Sequence, residues 1–195
     1  LRREGADVLV YATPEALRFV SREALEWCSL RPVIDRLDGK AQHIEDSRQV
    51  DLYLVAPATY STLNKLAWGF ADNAVTTTLA GALGRLEAGT TQIMVAPTMH
   101  GSMVNSILRE SLARLSDRGV KVLPPRSGAG KANLPDVAEL VARCVRCLGA
   151  QKSPLAGRSI LVTAGPTPTP VDDVRLLTNR FTGATGLAIA EALWR

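Results

Sequence analysis

The sequence predicts an α/β fold in which helices cover both faces of a parallel sheet. Short apolar runs alternate with longer helical stretches along the chain, and this alternation is typical of parallel sheets. Hydrophobic residues make up 46% of the 195 residues and charged residues 22%, which is the composition of a globular protein with a real core. This length accommodates one α/β domain and part of a second.

The first elements lie close to the N-terminus. Leu1–Gly5 is typical of a helix end with a glycine stop, so we expect that the sequence begins inside a domain and is a fragment of a longer protein. Ala6–Ala12 is a short apolar run that predicts a buried strand. Pro14 suits the first turn of the helical stretch that follows.

Strand and helix then alternate through the middle of the chain. Asp51–Ala56 and Gln92–Ala96 are predicted strands, and a helical stretch from Tyr60 to Phe70 follows the first of them. A helix from about Ser102 to Asp117 follows the second strand. Its expected apolar face consists of Met103, Ile107, Leu108, Leu112 and Leu115.

A short strand at Val120–Leu123 and a helix at Pro135–Leu148 complete the first domain. The expected apolar face of this helix consists of Val137, Leu140, Val141, Cys144 and Leu148. Core packing therefore explains Cys144-x-x-Cys147 better than zinc or redox chemistry, because no second pair of ligands lies nearby. We expect no metal site.

A second unit begins after a linker. Ser159–Thr163 predicts its first strand, and a loop rich in Gly, Pro and Thr leads to a helix from about Ala184 onwards. The predicted division is a first domain at residues 1–148, a linker at 149–158 and the start of a second α/β domain at 159–195.

Charge and composition exclude several classes of function. The net charge of +4 is spread along the chain without a Lys/Arg block, so we expect no nucleic-acid partner. Apolar runs stay far below the roughly 18 residues of a membrane helix. The three cysteines do not form a disulfide framework, and no signal peptide is visible, so we expect a cytoplasmic protein.

Polar side chains follow the predicted strands where ligands bind in open parallel sheets. These are Thr13, the segment Thr59–Thr62, the segment Thr98–His100 and the loop Pro124–Lys131. They suit a flat ring with a polar tail, and they equally suit ordinary turns. The only histidines are His43 and His100; a lone histidine is more often structural, although histidine is well suited to proton transfer near neutral pH.

Several segments, in order, resemble one known family. His43-Ile44-Glu45 and the stretch from Asp51 to Thr59 resemble its HIxL and ADxxxxAPATANT motifs, and Ala96-Pro97-Thr98-Met99-His100-x-x-Met103 resembles APAMNxxMW. Val162–Thr167 and Asn179-Arg180-x-Thr182-Gly183-x-x-Gly186 resemble the start of a ligase half. The family is that of the bifunctional phosphopantothenoylcysteine decarboxylase and phosphopantothenate–cysteine ligase.

The resemblance implies a flavodoxin/Rossmann-like domain that binds FMN. It implies FMN-dependent decarboxylation of 4′-phosphopantothenoylcysteine to 4′-phosphopantetheine in coenzyme A biosynthesis, so the partner is a small-molecule substrate. It further implies an incomplete ligase half that uses CTP and Mg²⁺ when complete. Homo-oligomers are expected, with trimers of the flavoprotein part and dimers of the ligase part.

Residue roles follow by position within the matched motifs. The implied catalytic residues are His43, His100 in the place of an asparagine that binds the substrate carboxylate, and Asn179 in handling the acyl-cytidylate. The implied cofactor contacts are Thr13, Thr59, Tyr60, Ser61, Thr62 and Thr98. The implied substrate or nucleotide contacts are Met99, Lys131, Gly165, Pro166, Thr167, Gly183 and Gly186.

The chain departs from the family pattern at several positions. His100 replaces an asparagine, Val104 replaces a tryptophan, and Ser61 stands where asparagine is common. The loop Ser127–Asn133 lacks the family's flap cysteine, and Lys131 is its only titratable side chain.

Three other interpretations stay open. A flavin prenyltransferase or a peptidyl-cysteine decarboxylase would share the scaffold, but neither needs the ligase-like segment from Ser159. A non-catalytic regulatory relative fits the lost cysteine and the altered asparagine, whereas His43 speaks against it. The third is a nucleotide-binding α/β domain without an assigned role.

Overall fold

The structure is a computed structural model that describes residues 1–38, 50–128, 131–149 and 153–194. It divides into two compact units, Leu1–Cys144 and Val145–Arg195. The strands are β1 (Leu52–Ala58), β2 (Gln92–Pro97), β3 (Met99–His100), β4 (Lys121–Val122), β5 (Arg126–Gly128), β6 (Lys131–Asn133), β7 (Thr169–Pro170) and β8 (Leu176–Leu177). The α-helices are α1 (Arg22–Ser29), α2 (Tyr60–Trp68), α3 (Ala74–Glu87), α4 (Ser106–Asp117), α5 (Val137–Gly149) and α6 (Ala184–Trp194).

A parallel sheet in the order β1-β2-β4 lies at the centre of the first unit, as the alternation of strands and helices predicts. Leu52 of β1 pairs with Gln92 of β2, and the register continues to Val55 opposite Val95. The crossover connections contain α2 and α3 between β1 and β2, and α4 between β2 and β4. The predicted α/β fold is therefore confirmed.

The core forms between this sheet and the helices that follow its strands. Its fully buried large side chains include Leu63 of α2, Ile93 and Val95 of β2, and Leu108 and Leu115 of α4. Removing such side chains from water supplies most of the stabilisation of a fold of this kind.

The predicted apolar face of α4 is correct only in part. Leu108 and Leu115 are buried, but Ile107 is 56% exposed. Met103 lies before the helix, in a 3-10 turn at Gly101–Met103, because the Asn105 side chain accepts the Leu108 N–H and starts the helix there. In α5, Leu140 and Cys144 are buried as predicted, whereas Val137 and Leu148 are exposed.

The N-terminal strand prediction is wrong. Residues 6–12 form a single parallel bridge, between Tyr11 and Ile34, instead of a strand. Pro32, two residues before Ile34, has no backbone N–H to donate. The ladder of hydrogen bonds around Ile34 is therefore short. The glycine stop is confirmed, since a short 3-10 helix at Arg2–Glu4 ends at Gly5 with a φ of 84°.

The helical stretch predicted after Pro14 consists of a 3-10 turn at Ala16–Arg18 and the helix α1, whereas α3 and a small sheet are not predicted. The first helix, α1, starts at the Ser21 cap, and α3 starts at a capping box in which Asn73 and Thr76 bond reciprocally. The small antiparallel sheet has the order β3-β6-β5. Its strands are two or three residues long, too short for a recognisable alternation of apolar and polar residues.

The second unit contains the β7–β8 hairpin and α6, which begins at Ala184 as predicted. The predicted strand at residues 159–163 is not formed, and Leu161 is 89% exposed. A strand needs a neighbour for its backbone N–H and C=O groups, and no described strand of this unit pairs with this segment.

Gly186 of α6 lies against the segment before Gly165. A Cβ atom at Gly186 would lie 2.5 Å from the Ala164 Cβ and 2.9 Å from the Thr163 carbonyl oxygen. The helix can approach the segment this closely only because residue 186 has no side chain.

The Gly186→Ala variant should lose stability because the added methyl group overlaps Ala164. Overpacking of this kind costs about 1–3 kcal/mol. Hydrogen exchange followed by mass spectrometry should show faster exchange in α6 and no change in β2. Gly84→Ala in α3 is the matched control, since nothing lies within 4 Å of its Cβ position. Unchanged exchange in α6 would contradict the packing role.

Asp72 at the start of α3 gives the fold an acid-sensitive contact. The Lys65 ammonium donates to Asp72 Oδ2 at 2.5 Å, and the Thr76 hydroxyl donates to Oδ1 at 3.2 Å. The bond from Lys65, more than that from Thr76, holds the pKa of Asp72 below its usual value. A carboxyl group with a lowered folded pKa stabilises the fold above its unfolded pKa of about 3.9 and loses this effect at lower pH.

The Asp72→Asn variant should therefore be less stable than the parent at pH 6. The difference should shrink as the pH falls through the folded pKa of Asp72. Urea unfolding over a pH series would measure it, and Lys65→Gln should weaken the same dependence. A stability difference that stays constant from pH 6 to pH 3 would refute this assignment.

Candidate functional site

The carboxyl ends of β1 and β2 meet at one edge of the sheet. Ala58, the last residue of β1, pairs with Pro97, and the Thr98 N–H donates to the Ala58 carbonyl at 3.0 Å. The two polar segments that follow these strands, Thr59–Thr62 and Thr98–His100, therefore start side by side. This edge is the candidate site.

Thr59 and Thr62 form the part of the site at the start of α2. The Thr59 side chain accepts the Thr62 N–H at 3.4 Å, and the two hydroxyl groups lie 3.1 Å apart. Thr59 and Ser61 are exposed, and Tyr60 is half-buried. A helix start of this kind presents backbone N–H groups and the positive end of the helix dipole to an anionic group.

Hydrogen bonds fasten α2 to α4 along their contact. The Tyr60 hydroxyl donates to Asn105 Oδ1 at 3.4 Å, beside the start of α4. Further along, Ser111 Oγ donates to Asn64 Oδ1 at 2.7 Å and accepts from the Trp68 indole at 3.2 Å. These contacts fix the axial position of α2, and with it the direction of its first turn.

Thr98 and Met99 form the part of the site beyond β2. The Thr98 hydroxyl donates to the Ala96 carbonyl at 3.1 Å, which leaves its oxygen able to accept a hydrogen bond from a ligand. Met99 is half-buried and packs against the core cluster. The two residues therefore offer one polar and one apolar contact at the edge.

His100 is held by its own turn and by the small sheet. Its Nδ1 lies 2.8 Å from Ser102 Oγ and accepts the Ser102 backbone N–H at 3.3 Å. Its backbone pairs with that of Lys131 in the antiparallel β3–β6 ladder. The loop in which the sequence predicts a flap is thus joined to His100 through the backbone.

An apolar cavity of about 320 Å³ lies beside this small sheet. Val104 contributes to its wall, at the position where the resembling motif has tryptophan. Its other lining residues are Pro97, Met99, Leu108, Leu112, Val122, Leu123, Pro124, Pro125 and Ala132. The cavity therefore extends the candidate site with apolar surface.

The remaining implied contacts of the first unit have different placements. The Thr13 hydroxyl accepts the Ala16 N–H at 3.2 Å, at the start of the 3-10 turn Ala16–Arg18. His43 lies outside the described residues, and only the backbone of Lys131 is described. Among the residues that the structure describes, no three His, Cys, Asp or Glu side chains group as metal ligands.

The implied nucleotide contacts of the second unit lie around the start of α6. Gly165 has a φ of 102° with nothing within 4 Å of its Cβ position, and Gly183 has a φ of 77° with that position 3.3 Å from the Gly165 N. A Cβ atom at Gly186 would overlap the Ala164 Cβ at 2.5 Å, whereas one at Gly183 would lie 3.7 Å from it. Pro166 and Thr167 are exposed, and the Asn179 carbonyl accepts the Phe181 N–H at 2.8 Å.

Sequence reasoning missed the residues that support this site. Ser102, Asn105 and Ser111 act through hydrogen bonds to groups near the strand ends. Asn105, just before the apolar positions of α4, carries a helix-start pattern that could have been recognised. Ser102 and Ser111 carry no such pattern.

The chain is similar to curated proteins named coenzyme A biosynthesis bifunctional protein CoaBC. It is 36% identical to that of Thermococcus kodakarensis, over 98% of this chain and 47% of the relative. It is 33% identical to that of Bacillus subtilis, over 98% of this chain and 49% of the relative. The chain spans about half the length of the curated relatives that it matches.

Solved structures share the fold. A mutant PPC decarboxylase complexed with pantothenoylaminoethenethiol matches with a TM-score of 0.60 and 25% identity, over 77% of this chain and 86% of that chain. The FMN-dependent cysteine decarboxylase TvaF from thioviridamide biosynthesis matches with a TM-score of 0.57 and 26% identity, over 74% and 81%.

Two family models match the chain in the order that the motifs indicate. The DNA/pantothenate metabolism flavoprotein C-terminal domain matches residues 155–195. The Flavoprotein family matches residues 1–149, which is more than half of the chain. The chain therefore belongs to the Flavoprotein family.

Proposed function

We propose that this chain provides the flavin-binding part of an enzyme that decarboxylates 4′-phosphopantothenoylcysteine to 4′-phosphopantetheine in coenzyme A biosynthesis. The observation that carries the proposal is the joint edge of β1 and β2, where Thr59–Thr62 and Thr98–His100 start side by side. The CoaBC relatives and the PPC decarboxylase structure support the substrate class.

The cofactor we propose is FMN, and the residues at the edge fit it chemically. The first turn of α2 offers backbone N–H groups and hydroxyl groups to polar atoms, and the Thr98 oxygen offers an acceptor to a ring N–H. Met99 and Pro97 offer apolar contact to a flat ring. When bound, FMN would oxidise the cysteine side chain of the substrate and so create an electron sink for the loss of CO₂.

The side chains of this chain would bind the substrate and move its protons. His43 would act as the base or orient the substrate, and His100 would donate a hydrogen bond to the departing carboxylate. Met99 would contact the substrate beside the ring, and the cavity next to Val104 would exclude water from it. Lys131 is the titratable side chain of the flap loop that we assign to substrate contact.

The remaining assignments rest on the resemblance of the sequence motifs to the family. We assign residues 1–148 to the decarboxylase domain, 149–158 to the linker and 159–195 to the start of the ligase domain. Gly165, Gly183 and Asn179 would belong to a ligase site that uses CTP and Mg²⁺, together with Pro166 and Thr167. We further propose a cytoplasmic homo-oligomer, with a trimeric flavoprotein part.

A second candidate is a flavin-binding protein that does not catalyse the reaction. The absence of a cysteine from the flap loop Ser127–Asn133 favours it, because the loop then lacks a thiol to donate a proton. The two candidates agree on FMN and differ on CO₂ release.

The first test expresses the complete natural reading frame, records its visible spectrum and measures CO₂ release from the substrate without oxygen. We expect flavin bands and turnover, with turnover lost and the bands retained in His43→Asn, because the histidine acts on the substrate. Flavin bands without CO₂ release would favour the non-catalytic candidate. A colourless, inactive protein would exclude both candidates.

The second test concerns the flavin contact at the start of α2. Thr59→Val removes a hydroxyl that caps α2, which costs about 1 kcal/mol of stability. It also removes the proposed hydrogen bond between the Thr59 hydroxyl and FMN. Such a bond is worth about 0.5–1.5 kcal/mol, so FMN should bind roughly 2- to 10-fold more weakly. Thr59→Ser should restore both. Fluorescence titration with FMN measures the affinity, and an affinity equal to that of the parent would refute the contact.

A further inference from the structure

We infer that Ser102 is a positioning residue, which directs the proton of the neutral His100 imidazole to Nε2 and so makes His100 a hydrogen-bond donor to a carboxylate. The arrangement of Ser102 and His100 is independent of any activity. The identity of the acceptor, a substrate carboxylate, rests on the proposed function.

The first step concerns the protonation of the ring. The Ser102 backbone N–H, which can only donate, lies 3.3 Å from His100 Nδ1. This contact favours a lone pair on Nδ1. The Ser102 hydroxyl, 2.8 Å from the same nitrogen, can donate or accept, so it donates here as well. With both donors directed at Nδ1, the proton of the neutral ring resides on Nε2.

The second step concerns the position of the ring. The Thr98 N–H is bound to the Ala58 carbonyl, and the backbone of His100 pairs with that of Lys131. His100 has an extended backbone, with a φ of −66° and a ψ of 143°, directly before the turn that contains Ser102. The Cα of His100 is thus fixed from both sides, and the contacts to Ser102 fix the side chain.

The third step concerns the free end of the ring. His100 is exposed, and within the described part of the chain its Nε2 forms no hydrogen bond. A neutral N–H donor is therefore presented at the edge of the sheet, two residues from Thr98. A carboxylate oxygen is a strong acceptor for such a donor.

Without the Ser102 hydroxyl, one donor at 3.3 Å remains at Nδ1. A contact of 3.3 Å is a weak hydrogen bond, so the preference for a proton on Nε2 falls and the tautomer with the proton on Nδ1 gains population. That tautomer presents a lone pair to a carboxylate instead of a donor. Ser102→Ala should thus change the hydrogen-bonding character of His100 without touching its ring. Ser102→Thr keeps a hydroxyl group at the same position.

The experiment records ¹⁵N spectra of histidine-labelled full chain at pH 8.5, about two units above the usual histidine pKa of about 6.5. Only two histidines are present, so His43→Asn assigns the signals. We expect His100 to show a protonated Nε2 and an unprotonated Nδ1. The ¹⁵N chemical shifts of His100 Nδ1 and Nε2 should move towards each other in Ser102→Ala and return to the parent values in Ser102→Thr. Ser116→Ala, an exposed serine of α4, is the matched control and should leave them unchanged.

A protonated Nδ1 in the parent, or identical shifts in the parent and Ser102→Ala, would overturn the inference. The same spectra test the acceptor, with an N-acylcysteine as probe and the matching N-acylcysteamine as a control without a carboxylate. We expect only the N-acylcysteine to shift the Nε2–H signal, and equal responses to the two would overturn the carboxylate assignment. If the protein shows the expected tautomer and probe response but releases no CO₂, the proposed function is refuted and the inference on Ser102 stands.

Discussion

The parallel pairing of β1 with β2, which shifts register after Val55 and resumes at Ala58 and Pro97, is the constraint on which the site depends. Ala58 is fully buried opposite Pro97, and its carbonyl is bound by the Thr98 N–H. Neither strand can shift by a residue without moving a buried apolar side chain to the opposite face of the sheet. Because both loops leave the sheet at this point, Thr59 and Met99 are held near each other by the strand register, before any side chain of the site contributes.

A buried polar network transmits this constraint to the helices. Ser111 is fully buried, and its hydroxyl is satisfied by Asn64 and Trp68 across the contact between α2 and α4. A buried hydroxyl without a hydrogen-bond partner lowers the stability of the fold. The hydrogen bonds of Ser111 therefore form in only one relative position of α2 and α4. Arg114 lies over the Trp68 ring at 4.5 Å and covers the outer side of this contact. The orientation of the first turn of α2 is thus specified by α4, which itself begins just beyond His100.

The sequence predicts the strands and helices that local hydrophobic periodicity specifies. It does not predict the outcome for segments that need a neighbouring strand elsewhere in the chain. The strands β1 and β2 and the helix α6 are apolar or helical in themselves, and they form as predicted. Residues 6–12 and 159–163 are equally apolar, but no strand within the described part of the chain forms a full ladder with them. Helix α3 was missed because its start contains three consecutive threonines, which favour strands, and the capping box at Asn73 overrides that preference.

The site residues divide in the same way. Thr59, Thr62 and Thr98 could be found from the sequence because polar residues after a buried strand follow a general rule of parallel sheets. Ser102 could not, because its role depends on a turn that directs its hydroxyl and its backbone N–H at one nitrogen. Three of the four departures from the family motif, at His100, at Val104 and in the flap loop, lie in the small sheet β3-β6-β5 or along the adjoining cavity wall. The threonines at the start of α2 keep the motif. Most of the variation therefore lies on the side that we assign to the substrate, and the departure at Ser61 keeps a hydrogen-bonding side chain among the proposed flavin contacts.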